Sequence, residues 1–338
     1  MRSKTIVLLK NSILIVSLVI LAFYLLAMLM TVDAYTIAFL NSSVETIHYR
    51  ISFFPLYIGP IFMSIPIFYI YQPTFSEMFV ILIIIYSICL LSTLLSGKNN
   101  IFDTVRKREN PFNNAYVSVI ALTSAILLII IAIDLLQKSV GIESGKLESE
   151  NELLMYLSVS MAPIIEEIGF RFFILGIFTL FLYLTLSGKL KISPINILRI
   201  LLNPKMAREI LIEKYGRDIL WKPVILMVIV SGIMFGSIHY IYGGGWEIGK
   251  VTTASLAGIL LGYLYIEYGL PAAILSHYTF NHFFMTYYFI SRVSEFPVIP
   301  YIVDVLIVIL GISTIGYSLG LILGFKYDES EEVTVIEI

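Results

Sequence analysis

The chain is written in long apolar runs separated by short polar stretches, with little of the three-to-four-residue alternation that marks helices half-exposed to water. A helix that crosses hydrocarbon needs roughly 20 apolar residues. Nine segments meet or approach that length: 12–31, 51–71, 78–95, 115–136, 153–187, 223–242, 252–268, 270–290 and 301–324. Pro55, Pro60 and Pro66 interrupt 51–71 and 78–95 is short, so one of this pair is expected to be re-entrant or merged with its neighbour, leaving eight. Segment 153–187 is too long for one untilted crossing, and Pro163, Gly169 and Gly176 are places for a bend or break. Ser12–Thr31 has no small-x-small cleavage site after it and reads as a first membrane helix, not as a secretory signal.

Composition sharpens this into a class. Of 338 residues, 58% are hydrophobic and only 14% charged, and the mean hydropathy is +0.91. The expected fold is an all-α polytopic membrane protein, a bundle of about eight (seven to nine) transmembrane helices enclosing a polar catalytic cavity. A net charge of −2 without a clustered basic surface excludes nucleic acid as a partner. The single cysteine, Cys89, rules out an internal disulfide or thiolate metal cluster and reads as packing or lipid-facing.

Residues 188–222 carry eight Lys/Arg and 96–112 carry four, which places both on the cytoplasmic side of a multi-pass protein of the cell membrane. Eight spans then put both termini inside, with Arg2, Lys4 and Lys10 on the positive side. The stretch Pro204–Trp221 reads equally as an interfacial helix or a solvated linker. Lys326–Ile338, with five acidic residues, reads as a short mobile tail. The expected organisation is 1–112 as amino-terminal helices and a basic loop, 113–290 as the catalytic membrane core, and 291–338 as the last helix and tail. Gly232/Gly236, Gly258/Gly262 and Gly316/Gly320/Gly324 have the spacing that lets membrane helices approach closely.

Against this apolar background Glu166, Glu167 and Arg171 stand out, because an ionisable group at bilayer depth is costly. His239, four residues after Phe235, and His277, four before Asn281, lie in two further spans. Each pair shares a helix face. Hydrocarbon satisfies none of these groups, so they are expected to converge on one interior cavity. Glu167 and Arg171 can pair along their helix, whereas Glu166, turned about 100° away, is the freer carboxylate and the candidate general base. His239 can orient a water against it, and His277 with Asn281 can donate to an oxyanion. His282 reads as packing or support. Tyr240, Tyr242 and Trp246, around Gly243–Gly245, read as an interfacial aromatic belt or, alternatively, a lip over the cavity. No HExxH, GxSxG, GxGxxG, phosphate-loop or calcium-loop motif is present.

Three ordered motifs, Glu166-Glu167-Ile-Gly-Phe-Arg171, Phe235-Gly-Ser-Ile-His239 and His277-Tyr-Thr-Phe-Asn281, resemble the EExxxR, FxxxH and HxxxN pattern of the intramembrane proteases related to CAAX-prenyl endopeptidase, the CPBP or Abi family. The resemblance covers roughly 160–285. It implies about eight spans and a cavity open to the cytosol, often also laterally to lipid. It also implies water activation by Glu166 with His239, oxyanion binding by His277 with Asn281, and support from Glu167 and Arg171. The expected activity is endopeptidase cleavage of a peptide or lipidated-protein substrate, with prenylated CaaX-type carboxyl termini as the best-known case and no cofactor required. The alternatives are a zinc protease with Glu166, His239 and His277 as ligands, and a non-enzymatic membrane scaffold, immunity protein or transporter.

Overall fold

The computed structural model describes residues 2–40, 54–58, 61–65, 73–107, 110–147, 151–188, 192–242, 244–292 and 297–324. Among the described residues, seven helical rods are long and apolar enough to cross a membrane. The first is α1, Arg2–Leu40, and the next two are α2, Phe75–Leu95, and α4, Ala115–Ser139, with the short α3, Ile101–Lys107, between them. The fourth rod, Glu152–Ser187, is continuous: α5, Glu152–Glu167, runs through a π-helical stretch, Ile168–Gly176, into α6, Ile177–Ser187. Two short helices, α7 Pro194–Leu202 and α8 Lys205–Tyr215, precede α9, Arg217–Ile241, and α10, Gly249–Tyr268. The last rod is α13, Ile299–Ile322.

An eighth rod of similar length, Leu270–Ser291, comprises α11, Leu270–Tyr278, a π-helical turn, Thr279–Phe283, and α12, Phe284–Ser291. It is missing from the seven apolar rods because His277, Asn281 and His282 lower its hydropathy. Its position makes this tolerable. Helix α11 is surrounded by α2, α4, α5 and α10, and all but one of its residues are buried, so it meets protein rather than lipid.

The expectation that 51–71 is a membrane helix is corrected. Its described part is an antiparallel hairpin, β1 Phe54–Ile58 with β2 Ile61–Ile65, pairing Phe54 with Ile65 and Ile58 with Ile61. Pro55 cannot donate to a helix ladder, whereas a two-stranded pair accommodates it. Strand β1 lies against the Ile168–Gly176 stretch and α5. Pro60 and Pro66 lie outside the described residues, as do Arg108, Lys189, Lys191, Gly243 and the acidic tail.

Helices α9 and α10 pack along one another backbone to backbone. A Cβ at Gly236 would lie 2.3 Å from the Val251 carbonyl oxygen and 2.7 Å from the Ser255 amide, and one at Gly232 would lie 2.7 Å from the Ile259 amide. Small residues are therefore required at this crossing. The spacing around Gly316 does not serve the same purpose: its Cβ would meet only Leu9 at ordinary contact distance, while Gly311 is the close-approach residue of α13, 2.7 Å from the Ser124 carbonyl.

Contacts define two ends of the bundle. At one, Tyr268 Oη donates to Ser118 Oγ at 2.9 Å, Tyr265 Oη donates to the Leu201 carbonyl at 2.6 Å, and Arg208 pairs with Glu267. This end carries the basic connections 96–112 and 188–222. At the other, the chain around Gly145 pairs with the chain around Trp246. Here the Lys146, Glu247 and Gly249 amides donate to the Gly245, Ser144 and Glu143 carbonyls at 3.0, 3.1 and 2.9 Å. Gly145 has φ +72°, and a Cβ on it would fall 2.2 Å from the Gly245 oxygen, so both conformation and space demand glycine.

Candidate functional site

The charged motif spans the junction between α5 and the π-helical stretch. Glu167 and Arg171 are both fully buried, with Arg171 Nε 3.1 Å from Glu167 Oε2. Arg171 Nη2 donates to the Gly258 carbonyl at 2.9 Å, and the guanidinium lies over the Phe235 ring, 4.7 Å from its centroid. Phe235 therefore works through its π face, capping a buried cation. Arg171 thus ties the EExxxR helix to both α9 and α10. A π turn widens the helix locally, and such turns recur at functional sites; here both π-helical stretches carry motif residues, Arg171 in the first and Asn281 in the second.

Glu166 faces away from this pair. It lines a cavity of about 920 Å3 together with Phe235, His239, His277 and Asn281. The four residues expected from sequence at the reaction centre are thus brought to one space from three rods. Glu166 Oε2 is buried and has no hydrogen-bond partner, and His277 Nε2 stands 3.7 Å from it.

The histidine tautomers follow from their partners. His239 Nδ1 is 2.8 Å from the Phe235 carbonyl oxygen. A carbonyl only accepts, so Nδ1 carries the proton and, in the neutral ring, Nε2 is an acceptor. His277 Nδ1 is 2.8 Å from Glu167 Oε1, and its Nε2 is 3.2 Å from Asn281 Nδ2. In the neutral ring the first contact is a donation to the carboxylate and the second an acceptance from the amide. His277 then has no free N–H, and of the two expected oxyanion donors Asn281 alone keeps one. Glu167, read from sequence as the partner of Arg171 only, also anchors His277.

His282, one residue past Asn281, points into a separate, sealed cluster with Ser160 and Thr31. Tyr240 and Tyr242 are exposed, as an aromatic belt requires, whereas Trp246 lines the cavity. One charged cavity residue escaped sequence reading. Lys250, at the start of α10, lines the same space with its ammonium 3.8 Å from the Trp246 ring centroid. It belongs to no motif and sits where a helix end ordinarily meets water, so only its neighbours mark it.

The zinc alternative needs Glu166, His239 and His277 as one ligand set. Among the described residues no three His, Cys, Asp or Glu side chains converge in that way. The His277 nitrogen that borders the cavity, Nε2, already has Asn281 Nδ2 at 3.2 Å. This arrangement does not fit a zinc centre.

The cavity lining includes Leu147 and Trp246, from the connections at the Gly145–Trp246 end, and no residue of 96–114 or 188–216. The cavity therefore reaches toward the end opposite the basic segment. No curated protein matches the chain and no solved structure does. Residues 149–283, which contain all three motifs and most of the cavity lining, match the family model described as type II CAAX prenyl endopeptidase, Rce1-like.

Proposed function

We propose that this protein is a membrane-embedded endopeptidase that hydrolyses peptide bonds with water activated by Glu166. The observation that carries this reading is the buried Glu166 Oε2, which has no hydrogen-bond partner, on a cavity that also holds His239. The neighbouring Glu167 is paired twice, with Arg171 and His277.

In this mechanism one proton of a bound water is held by His239 Nε2 and the other passes to Glu166. The oxygen attacks the scissile carbonyl carbon, and the carbonyl oxygen takes the negative charge. Asn281 donates its free N–H to that oxyanion. When the C–N bond breaks, Glu166 returns the proton to the departing nitrogen, leaving a carboxylic acid and an amine, which exchange the remaining proton to give carboxylate and ammonium. His277 holds Asn281 in place, and Glu167 and Arg171 hold His277 and the helices around it. An apolar lining of Leu, Ile, Met and Phe side chains suits a substrate segment with apolar or lipidated side chains.

Charge supplies the orientation. The basic segments 96–112 and 188–222 are assigned to the cytoplasmic side, and the connections 140–151 and 242–248 contain Lys146 as their single Lys or Arg. The cavity then opens on the opposite face, the reverse of the cytosolic opening that the family resemblance implies. Single cysteines at the exposed Glu143 and Arg199 test this, because the native Cys89 is buried. A membrane-impermeant maleimide added to intact cells should label Glu143→Cys and spare Arg199→Cys; the reverse pattern restores a cytosolic opening.

The hydrolytic assignment is tested with purified protein on a prenylated CaaX-type peptide and its unprenylated counterpart. Cleavage is expected to vanish in Glu166→Gln. Undiminished cleavage by that variant removes Glu166 from the mechanism.

A further inference from the structure

Lys250 is a cation in a mainly apolar cavity, and the mechanism does not use it. Among the described residues its ammonium has no carboxylate within ion-pair distance; its close partner is the Trp246 ring at 3.8 Å. The carboxylates whose charge reaches it are Glu166 and Asp134. Asp134 is already occupied, by Lys138 at 2.7 Å and by Ser144 Oγ at 2.6 Å. Glu166 is the group the reaction needs free. His239, neutral in this mechanism, is the other titratable group that the Lys250 charge reaches. An ammonium left with a π face and a cavity in front of it lacks the anion that desolvation makes valuable.

We propose that Lys250 binds a carboxylate of the substrate, so that the cavity selects peptides presenting a free carboxyl terminus or an acidic side chain close to the bond placed at Glu166 and His239. Where cleavage is concerned this deepens the endopeptidase reading and rests on it; the binding site itself does not. The α9–α10 crossing sets the scale. Gly236 meets Val251 and Ser255, so His239, about one turn further along α9, stands level with the first turn of α10, which holds Lys250. The carboxylate is therefore held beside the histidine that orients the water.

A role as counter-ion to Glu166 makes a different forecast. Loss of the charge would then change turnover for every substrate alike. An anchor changes binding, and only for peptides that carry the anion.

The experiment measures equilibrium binding of a fluorescent apolar peptide to the full-length Glu166→Gln protein in detergent. The peptide is supplied as free acid, as carboxyl-terminal amide, and as amide with one aspartate added near its end. The free acid, the aspartate-bearing amide or both should bind roughly 10-fold tighter than the plain amide, the worth of a charge-assisted hydrogen bond, and whichever does names the source of the carboxylate. Adding Lys250→Met should level the three affinities, and Lys250→Arg should restore the preference. In protein with Glu166 intact, Lys250→Met should raise KM for the preferred peptide about as much while leaving kcat nearly unchanged. Equal binding of all three by the Lys250 protein, at any level, overturns the proposal, as does an unchanged preference in Lys250→Met. If the preference holds and no peptide is cleaved, the anchor stands and the proteolytic reading falls.

Discussion

His277 and His282 lie five residues apart on one rod, both almost completely buried, at 4% and 1% exposure. Burial does not separate them; their partners do. His282 has both ring nitrogens on neutral hydroxyls, Nδ1 at 2.6 Å from Ser160 and Nε2 at 3.0 Å from Thr31, and it stacks on Tyr156 at an interplanar angle of 13°. Every hydrogen-bonding group it has is met by a fixed partner of matching kind, and no space adjoins it. His277 is held by a carboxylate on one side, and on the other it borders a cavity with Glu166 and Asn281. A histidine satisfied by hydroxyls inside aromatic packing is an ordinary solution to burying a polar ring. One suspended between a carboxylate and an open cavity is arranged around something that enters.

The strongest way to break this comparison is at the reacting group. Glu166→Gln should lower cleavage by about two to four orders of magnitude, the usual worth of a general base, while the thermal midpoint in detergent stays close to that of the parent. Unfolding at a markedly lower temperature would mean that Glu166 belongs to the packing, as His282 does. Glu167→Ala addresses the support beneath His277. It strands the buried Arg171 guanidinium, and equilibrium unfolding should register a loss of about 3–5 kcal/mol; an unchanged stability would show that Arg171 is satisfied without it.

His277→Phe and His282→Phe make the comparison directly. The second should cost about 1–3 kcal/mol by taking the His282 partner from the Ser160 hydroxyl and from Thr31, which keeps its bond to the Ala27 carbonyl, with kcat per folded molecule retained. The first should abolish turnover. Loss of kcat in folded His282→Phe protein would erase the distinction drawn between them. The smallest forecast concerns the helix crossing that carries His239. Gly236→Ala must push α9 from α10 and should cost about 1–3 kcal/mol, with KM and kcat both impaired because His239 moves with its helix.

The rods were legible wherever a helix touches lipid, since such a helix must be apolar over a length set by the bilayer. That requirement locates α1, α2, α4, α5 with α6, α9, α10 and α13 from hydrophobic runs alone. It weakens at α11 and α12, which are enclosed by protein, and it misleads at 51–71, where an apolar stretch with prolines forms a hairpin. The motif residues were equally legible, because charge and imidazole in apolar helices have few structural uses. Lys250 was not, since its meaning comes from facing Glu166 and Trp246 across chain connections that spacing does not reveal.

Composition and the cost of burying charge thus determine, from sequence alone, that this chain is a bundle of membrane helices and that Glu166, Glu167, Arg171, His239, His277 and Asn281 are its unusual residues. Which carboxylate is free, which ring nitrogen carries a proton, which histidine faces a cavity and toward which end that cavity lies were decided only by tertiary structure. These properties depend on the distance and direction of partners from other helices. Helical periodicity gives the face on which a side chain lies but leaves open what stands opposite it.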